Sequence, residues 1–140
     1  MKKNKTIKYT PCGLDYIYLA NAPIAKTEDG DEYIDMPVGK IELAIASAII
    51  RCKVPLHGRE VKFLRKSLKL PRNDWAKKLG ISAAGIFKWE NEPDRRLSKI
   101  NEVAIRILCA EHLGIKLACK WDVLVSDDTY PHKLEVDAAA

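Results

Sequence analysis

Residues 72–91 read RNDWAKKLGISAAGIFKWEN, and the parsing of this stretch decides the fold. Pro71 precedes it, a residue whose fixed φ suits the entrance to a helix, so a short helix is expected over 72–79. Gly80 follows, and glycine takes the left-handed conformation that ends a helix without a Cβ penalty. Ser82 is an N-cap, since a serine hydroxyl accepts from the backbone N–H groups of the first turn, and a second helix is expected over 83–91. Two short helices joined by so tight a turn make a helix-turn-helix. Ala76 is small where the second helix must cross close above the first. Ile81, Ile86 and Trp89 pin that second helix to a core, which leaves Ala83, Ala84, Phe87, Lys88 and Asn91 on its outward stripe. A helix held in this way can enter a major groove with its N-terminal half toward the base edges.

On the upstream side, Val61, Leu64, Arg65 and Leu68 set a buried helical stripe over 58–69, broken at Leu70-Pro71. Downstream, Glu92-Pro93-Asp94 is a linker into a longer helix over 98–113. Ile100, Val103, Ala104, Ile107 and Leu108 are expected on its buried face, with Glu111 a further candidate and Ile105 off that face, and Gly114 ends it. The first six residues are polar and lysine-rich, a frayed arm by expectation. Ile7–Thr10 is a short strand closed by Pro11 and Gly13, and Leu14–Leu19 carries β-formers. Residues 25–36 form a hairpin about Asp29-Gly30. Val38–Lys53 is a helix with Ile41, Ala44, Ile45, Ala48 and Ile49 on one face. Residues 117–125 are open between strand and helix remnant, and Val136–Ala140 is expected to be a disordered tail. The expected architecture is mainly α: a five-helix-type helix-turn-helix bundle preceded by a small strand-rich, α+β N-terminal lobe. Its parts are a hairpin-and-helix lobe over 1–55, the helix-turn-helix domain over 56–115, and a partly disordered extension over 116–140.

The chain's net charge of +5 is unevenly spread. Residues 56–92 contain nine Lys and Arg against four Asp and Glu, so this segment alone carries a net +5. A concentrated basic segment suits a polyanionic partner. Lys62, Lys66, Lys69, Lys77 and Lys78 are candidate phosphate neutralisers. Cys12, Cys52, Cys109 and Cys119 form no C-x-x-C pair, and His57, His112 and His132 are scattered, so no metal and no cofactor is expected. The thiols are read as small hydrophobes of a reducing compartment. No nucleophile elbow, phosphate loop or paired metal ligands occur, so no enzymatic activity is expected. No apolar run reaches the ~18 residues of a membrane span, and the basic N-terminus has no apolar stretch behind it, which argues for the cytoplasm.

Residues 59–91, REVKFLRKSLKLPRNDWAKKLGISAAGIFKWEN, resemble the Xre-type helix-turn-helix of phage repressors and bacterial regulators. The likeness rests on the Leu-x(4)-Trp-Ala-x-x-Leu-Gly-Ile-Ser frame from Leu70 to Ser82 and on the closing Trp89-Glu90-Asn91. The Gly58–Arg65 run, and the leader from Tyr9 to Asn21, are similar to the MqsA-type antitoxin subgroup, although the zinc-binding cysteine pairs of that subgroup are missing. The resemblance implies a structural ion pair between Arg65 and Glu90, a phosphate contact by Arg72, and base-reading positions at Ala83, Ala84, Phe87 and Lys88. The expected DNA-binding set is therefore Arg72, Ser82, Ala83, Ala84, Phe87, Lys88, Asn91 and Lys62. Alanine and phenylalanine can pack on thymine methyls, and lysine can reach guanine O6 and N7. Phe87 has a second reading, as a contact to a neighbouring loop or a dimer partner.

The function expected from these residues is that of a sequence-specific double-stranded-DNA-binding transcriptional regulator, a repressor. The apolar surplus of the helix over 98–113 is read as a homodimer contact, since dimers place two recognition helices about one DNA turn apart; its other reading is a cap on the core against the N-terminal lobe. The alternative is an antitoxin that binds a toxin protein through its N-terminal lobe and represses its own operon.

Overall fold

A computed structural model of the chain describes residues 3–51 and 54–139. The first two residues of the expected arm, the expected helix end at Lys53, the Cys52 thiol and Ala140 lie outside the described residues.

Four strands, β1 (Lys3–Lys8), β2 (Ile17–Lys26), β3 (Glu32–Ile34) and β4 (Leu134–Asp137), form one mixed sheet with β2 at its centre. β1 lies antiparallel along one edge of β2, from Lys3 opposite Ile24 to Lys8 opposite Tyr18. The other edge is shared: β3 pairs antiparallel at Ile24–Lys26, and β4 pairs parallel at Ile17–Ala20. Between its pairings of Ile7 with Leu19 and Lys5 with Ala22, β2 carries one residue more than β1. Asn21 falls in that interval at φ 56°, a left-handed conformation that asparagine tolerates better than most residues. The bulge has a consequence for the core. Ile17 and Leu19, and then Ala22 and Ile24, are all buried. With strict alternation the second pair would turn to the opposite face.

Six helices complete the described residues: α1 (Val38–Arg51), α2 (Gly58–Ser67), α3 (Arg72–Leu79), α4 (Ala83–Glu90), α5 (Lys99–Leu113) and the single turn α6 (Trp121–Leu124). α1 buries Ile41, Ile45, Ala46, Ile49 and Ile50. These join Leu19, Leu134 and Val136 of the sheet, and Val61, Leu64 and Trp75 of the helices, in one continuous core.

The mainly α, five-helix expectation is therefore corrected to an α+β fold, with a four-stranded mixed sheet built from both ends of the chain. The lysine-rich arm is β1 from Lys3 onward; it borders the sheet, with Lys5 and Lys8 exposed while their backbone pairs. The expected disordered tail is β4 through Asp137, with Leu134 and Val136 turned inward and Glu135 and Asp137 outward.

α5 also faces differently from expectation. Ile100 and Ile107 are 73% and 45% exposed, whereas Glu102, Ile105, Arg106, Cys109 and Ala110 are buried. Backbone satisfaction accounts for the reversal. The Arg106 guanidinium donates to the carbonyls of Ile49 (3.1 Å), Ile50 (3.0 Å) and Val54, occupying acceptors that the end of α1 leaves open. Glu102 accepts from the backbone N–H of Leu56 (3.1 Å) and from both N–H and hydroxyl of Ser126 (2.9 Å each). It also pairs with Arg96 at 3.0 Å and Arg106 at 3.5 Å. Buried charges need partners; Glu102 and the two terminal nitrogens of Arg106 have them, while the Arg106 Nε is buried without one, and this cluster ties α1, the 54–56 linker, α5 and the C-terminal segment together.

Candidate nucleic-acid interface

α3 and α4 are set by the residues between them. Gly80 stands at φ 70°, ψ 29° and ends α3, while the Ser82 hydroxyl accepts from the Gly85 N–H at 3.1 Å and opens α4. Trp75, Ala76 and Ile86 are buried at the crossing of the two helices. On the opposite side of α4, Ala84, Phe87, Lys88 and Asn91 are exposed and Ala83 is half-buried. Phe87, at 50% exposure, is the largest apolar group there.

The start of α2 holds α4 from behind. Its first two N–H groups donate to the carbonyls of Arg95 (3.1 Å, from Gly58) and Pro93 (3.3 Å, from Arg59). A Cβ at position 58 would collide with the carbonyl oxygens of Trp89 and Glu92, so only glycine permits this approach.

Arg65 and Glu90 meet as a bidentate pair, with Nε to Oε2 at 2.7 Å and Nη2 to Oε1 at 2.8 Å. Arg72 adds a second guanidinium to the same carboxylate, at 3.2 and 3.4 Å, and lies 5.0 Å from the centre of the Phe87 ring. Burial acts to raise the Glu90 carboxyl, but the hydrogen bonds from Arg65 and Arg72 outweigh it and hold the group below the usual carboxylate range. The result is an open groove of about 540 Å3, in which Arg72, Ala83, Ala84 and Phe87 come together with Arg65, Pro71 and Asn73.

Lys88, Asn91 and Ser82 are exposed on or beside α4 but do not line that groove. Lys62 is not brought to it either; it lines a separate cleft against Pro11, Cys12 and Gly13. Pro71 and Asn73 are additions to the expected set. The signal for Asn73 is its place beside Arg72 in the first turn of α3.

A second polar cluster lies outside the expected set of residues. The buried Glu60 carboxylate accepts from the hydroxyls of Tyr16 (3.0 Å) and Tyr130 (2.7 Å) and from the His57 N–H (2.9 Å). Burial, opposed by these donors, pushes the Glu60 carboxyl up to about 7. His57 stacks on Tyr130 at 4.5 Å and is held below the ordinary histidine value, chiefly by burial. The available signal was Glu60 itself, placed at the third position of α2 where a carboxylate reaches back to the residue preceding the helix.

Among the described residues, no group of three or more His, Cys, Asp or Glu is placed to hold a metal, and no helix is long and apolar enough to cross a membrane. Cys109 is buried, and burial pushes its thiol up to about 12. No family model, no curated protein and no solved structure matches the chain.

Proposed function

We propose that the chain binds double-stranded DNA through α3 and α4 and serves in the cytoplasm as a transcriptional regulator, a repressor, with no catalytic activity of its own. One observation carries the reading: α4 is pinned from behind by Ile86 and the α2 start, while its outward side presents Ala84, Phe87, Lys88 and Asn91 to solvent. That is the posture of a helix meant to enter a major groove. The basic segment around it and the resemblance to Xre-type repressors support the same reading.

Within it, Lys88 reaches base edges or phosphate, Ala83, Ala84 and Phe87 contact thymine methyls, and Arg72 turns from Glu90 toward a phosphate. A homodimer places two copies of α4 on successive turns of the duplex.

Fluorescence anisotropy with a labelled duplex is the test. If about five phosphates are neutralised, log K falls against log salt with a slope of about −4 to −5. Lys88→Glu lowers affinity at least tenfold at a fixed salt concentration. Equal binding by wild type and Lys88→Glu would exclude α4 from the interface. Selection from a random duplex pool should enrich an inverted repeat; a single half-site would overturn the dimer.

A further inference from the structure

A second cleft, of about 430 Å3, lies between the Pro11–Gly13 turn and α2. It shares no lining residue with the α4 groove, yet the two are joined through one ion pair: Glu90 lines the cleft and Arg65 lines the groove. The volume is within the range of small-molecule sites.

The chemistry of its walls is specific. Arg59, Lys62 and Lys66 follow each other at i, i+3 and i+7 on one side of α2 and all line the cleft. Arg59 is already engaged, donating to the Pro93 carbonyl and pairing with Asp94. Lys62 and Lys66 have no ion pair among the described residues. Beneath them lie Phe63 and Ser67, only 8% and 7% exposed. Two uncommitted ammonium groups one helical turn apart thus stand over an aromatic floor. Glu42 also lines the cleft, which disfavours a ligand that is anionic at both ends.

We propose that this cleft binds a small molecule with one anionic head, a phosphate monoester or a carboxylate, taken by Lys62 and Lys66, and an apolar body resting on Phe63. Occupancy places negative charge against two cations of the basic segment and so weakens duplex binding; that part rests on the DNA-binding reading above.

Phenyl phosphate, benzoate and inorganic phosphate, titrated into the DNA-free full chain and followed by amide NMR shifts, test the site. Phenyl phosphate should bind saturably at millimolar concentration or better, with shifts at Cys12, Lys62, Phe63 and Lys66, and at least fivefold more tightly than inorganic phosphate. Comparison with benzoate shows which anionic head is preferred. Lys62→Gln/Lys66→Gln, two exposed changes that leave the core untouched, should weaken phenyl phosphate at least fivefold, and Cys12→Phe should fill the cleft. No saturable binding by either aromatic anion, or binding unchanged in the double lysine variant, overturns the proposal. In the presence of saturating phenyl phosphate, duplex affinity should fall at least threefold. A chain that binds phenyl phosphate but no duplex refutes the DNA reading and leaves the cleft standing; the reverse result refutes the cleft.

Discussion

Gly58 sits where a side chain has no room, between the start of α2 and the carbonyls of Trp89 and Glu92. Gly58→Ala must push α2 away from the end of α4, and overpacking of this kind costs about 2 kcal/mol or more. Urea unfolding should show the loss, with duplex binding reduced because α4 loses its backing. Two residues on, Glu60 gives stability an unusual pH dependence. Its carboxyl is raised from 4.5 to about 7 in the folded chain, so the folded state holds the proton more tightly than the unfolded state does. Its contribution is therefore most favourable below pH 4.5, declines as pH rises through that window, and levels off above pH 7. The change is on the order of 3 kcal/mol. Glu60→Gln should flatten the profile between pH 5 and 8 in unfolding experiments; an unchanged slope would place the titrating group elsewhere. Glu90 has the opposite sign. Its lowered carboxyl contributes stability above about 4.5 that is lost as acid protonates the folded chain.

Among the helices, the α3–α4 pair was the most legible part of the sequence. Pro71, Gly80 and Ser82 act on the backbone beside them, and local chemistry of that kind can be read without knowing the rest of the fold. Ser82→Ala should accordingly cost about 1 kcal/mol, the usual loss of an N-cap, measurable by thermal unfolding. The pair holding α4 to α2 follows a different rule. Arg65→Leu leaves Glu90 buried with Arg72 as its remaining partner and should cost about 3 kcal/mol, while Arg65→Leu/Glu90→Leu should recover much of it. A double variant no more stable than the single one would show that the pair itself is needed. The buried face of α5 departs from its hydrophobic periodicity for a physical reason. Hydrophobic periodicity favours Ile100, Val103, Ala104, Ile107 and Leu108, but it cannot register that Arg106 and Glu102 have backbone partners waiting on α1 and at Leu56 and Ser126. The candidate interface was legible for the same local reasons as its frame, whereas the Arg72 contact with Glu90 and the cleft at Lys62 depend on how distant segments meet.

The molecule as a whole is organised by β2, which receives β1, β3 and β4 along its two edges. The sheet was only half legible. The hairpin between β2 and β3 has its Asp29-Gly30 turn, but β4 is four residues long and finds its partner far away in the chain. Alternation over Leu134–Asp137 is too short to stand out from a polar tail. Its burial nevertheless carries weight. Leu134 and Val136 are 7% and 3% exposed, and Leu134→Ala should lower stability by about 2–4 kcal/mol in denaturant unfolding. A value near zero would mean that β4 is a detachable edge rather than part of the cooperative unit.

The parallel register of Ile17 with Leu134 also bears on the time course of folding. Helices form from neighbours along the chain, but this pairing must close a loop that contains every helix. Loop-closure entropy grows with loop length, so a contact across this loop is costly to form before the helices have packed. The helical hairpins can therefore assemble early, with completion of the sheet as the late event. In a stopped-flow experiment, Leu134→Ala should act mainly by accelerating unfolding and leave the refolding rate nearly unchanged, the signature of a contact made after the barrier has been crossed.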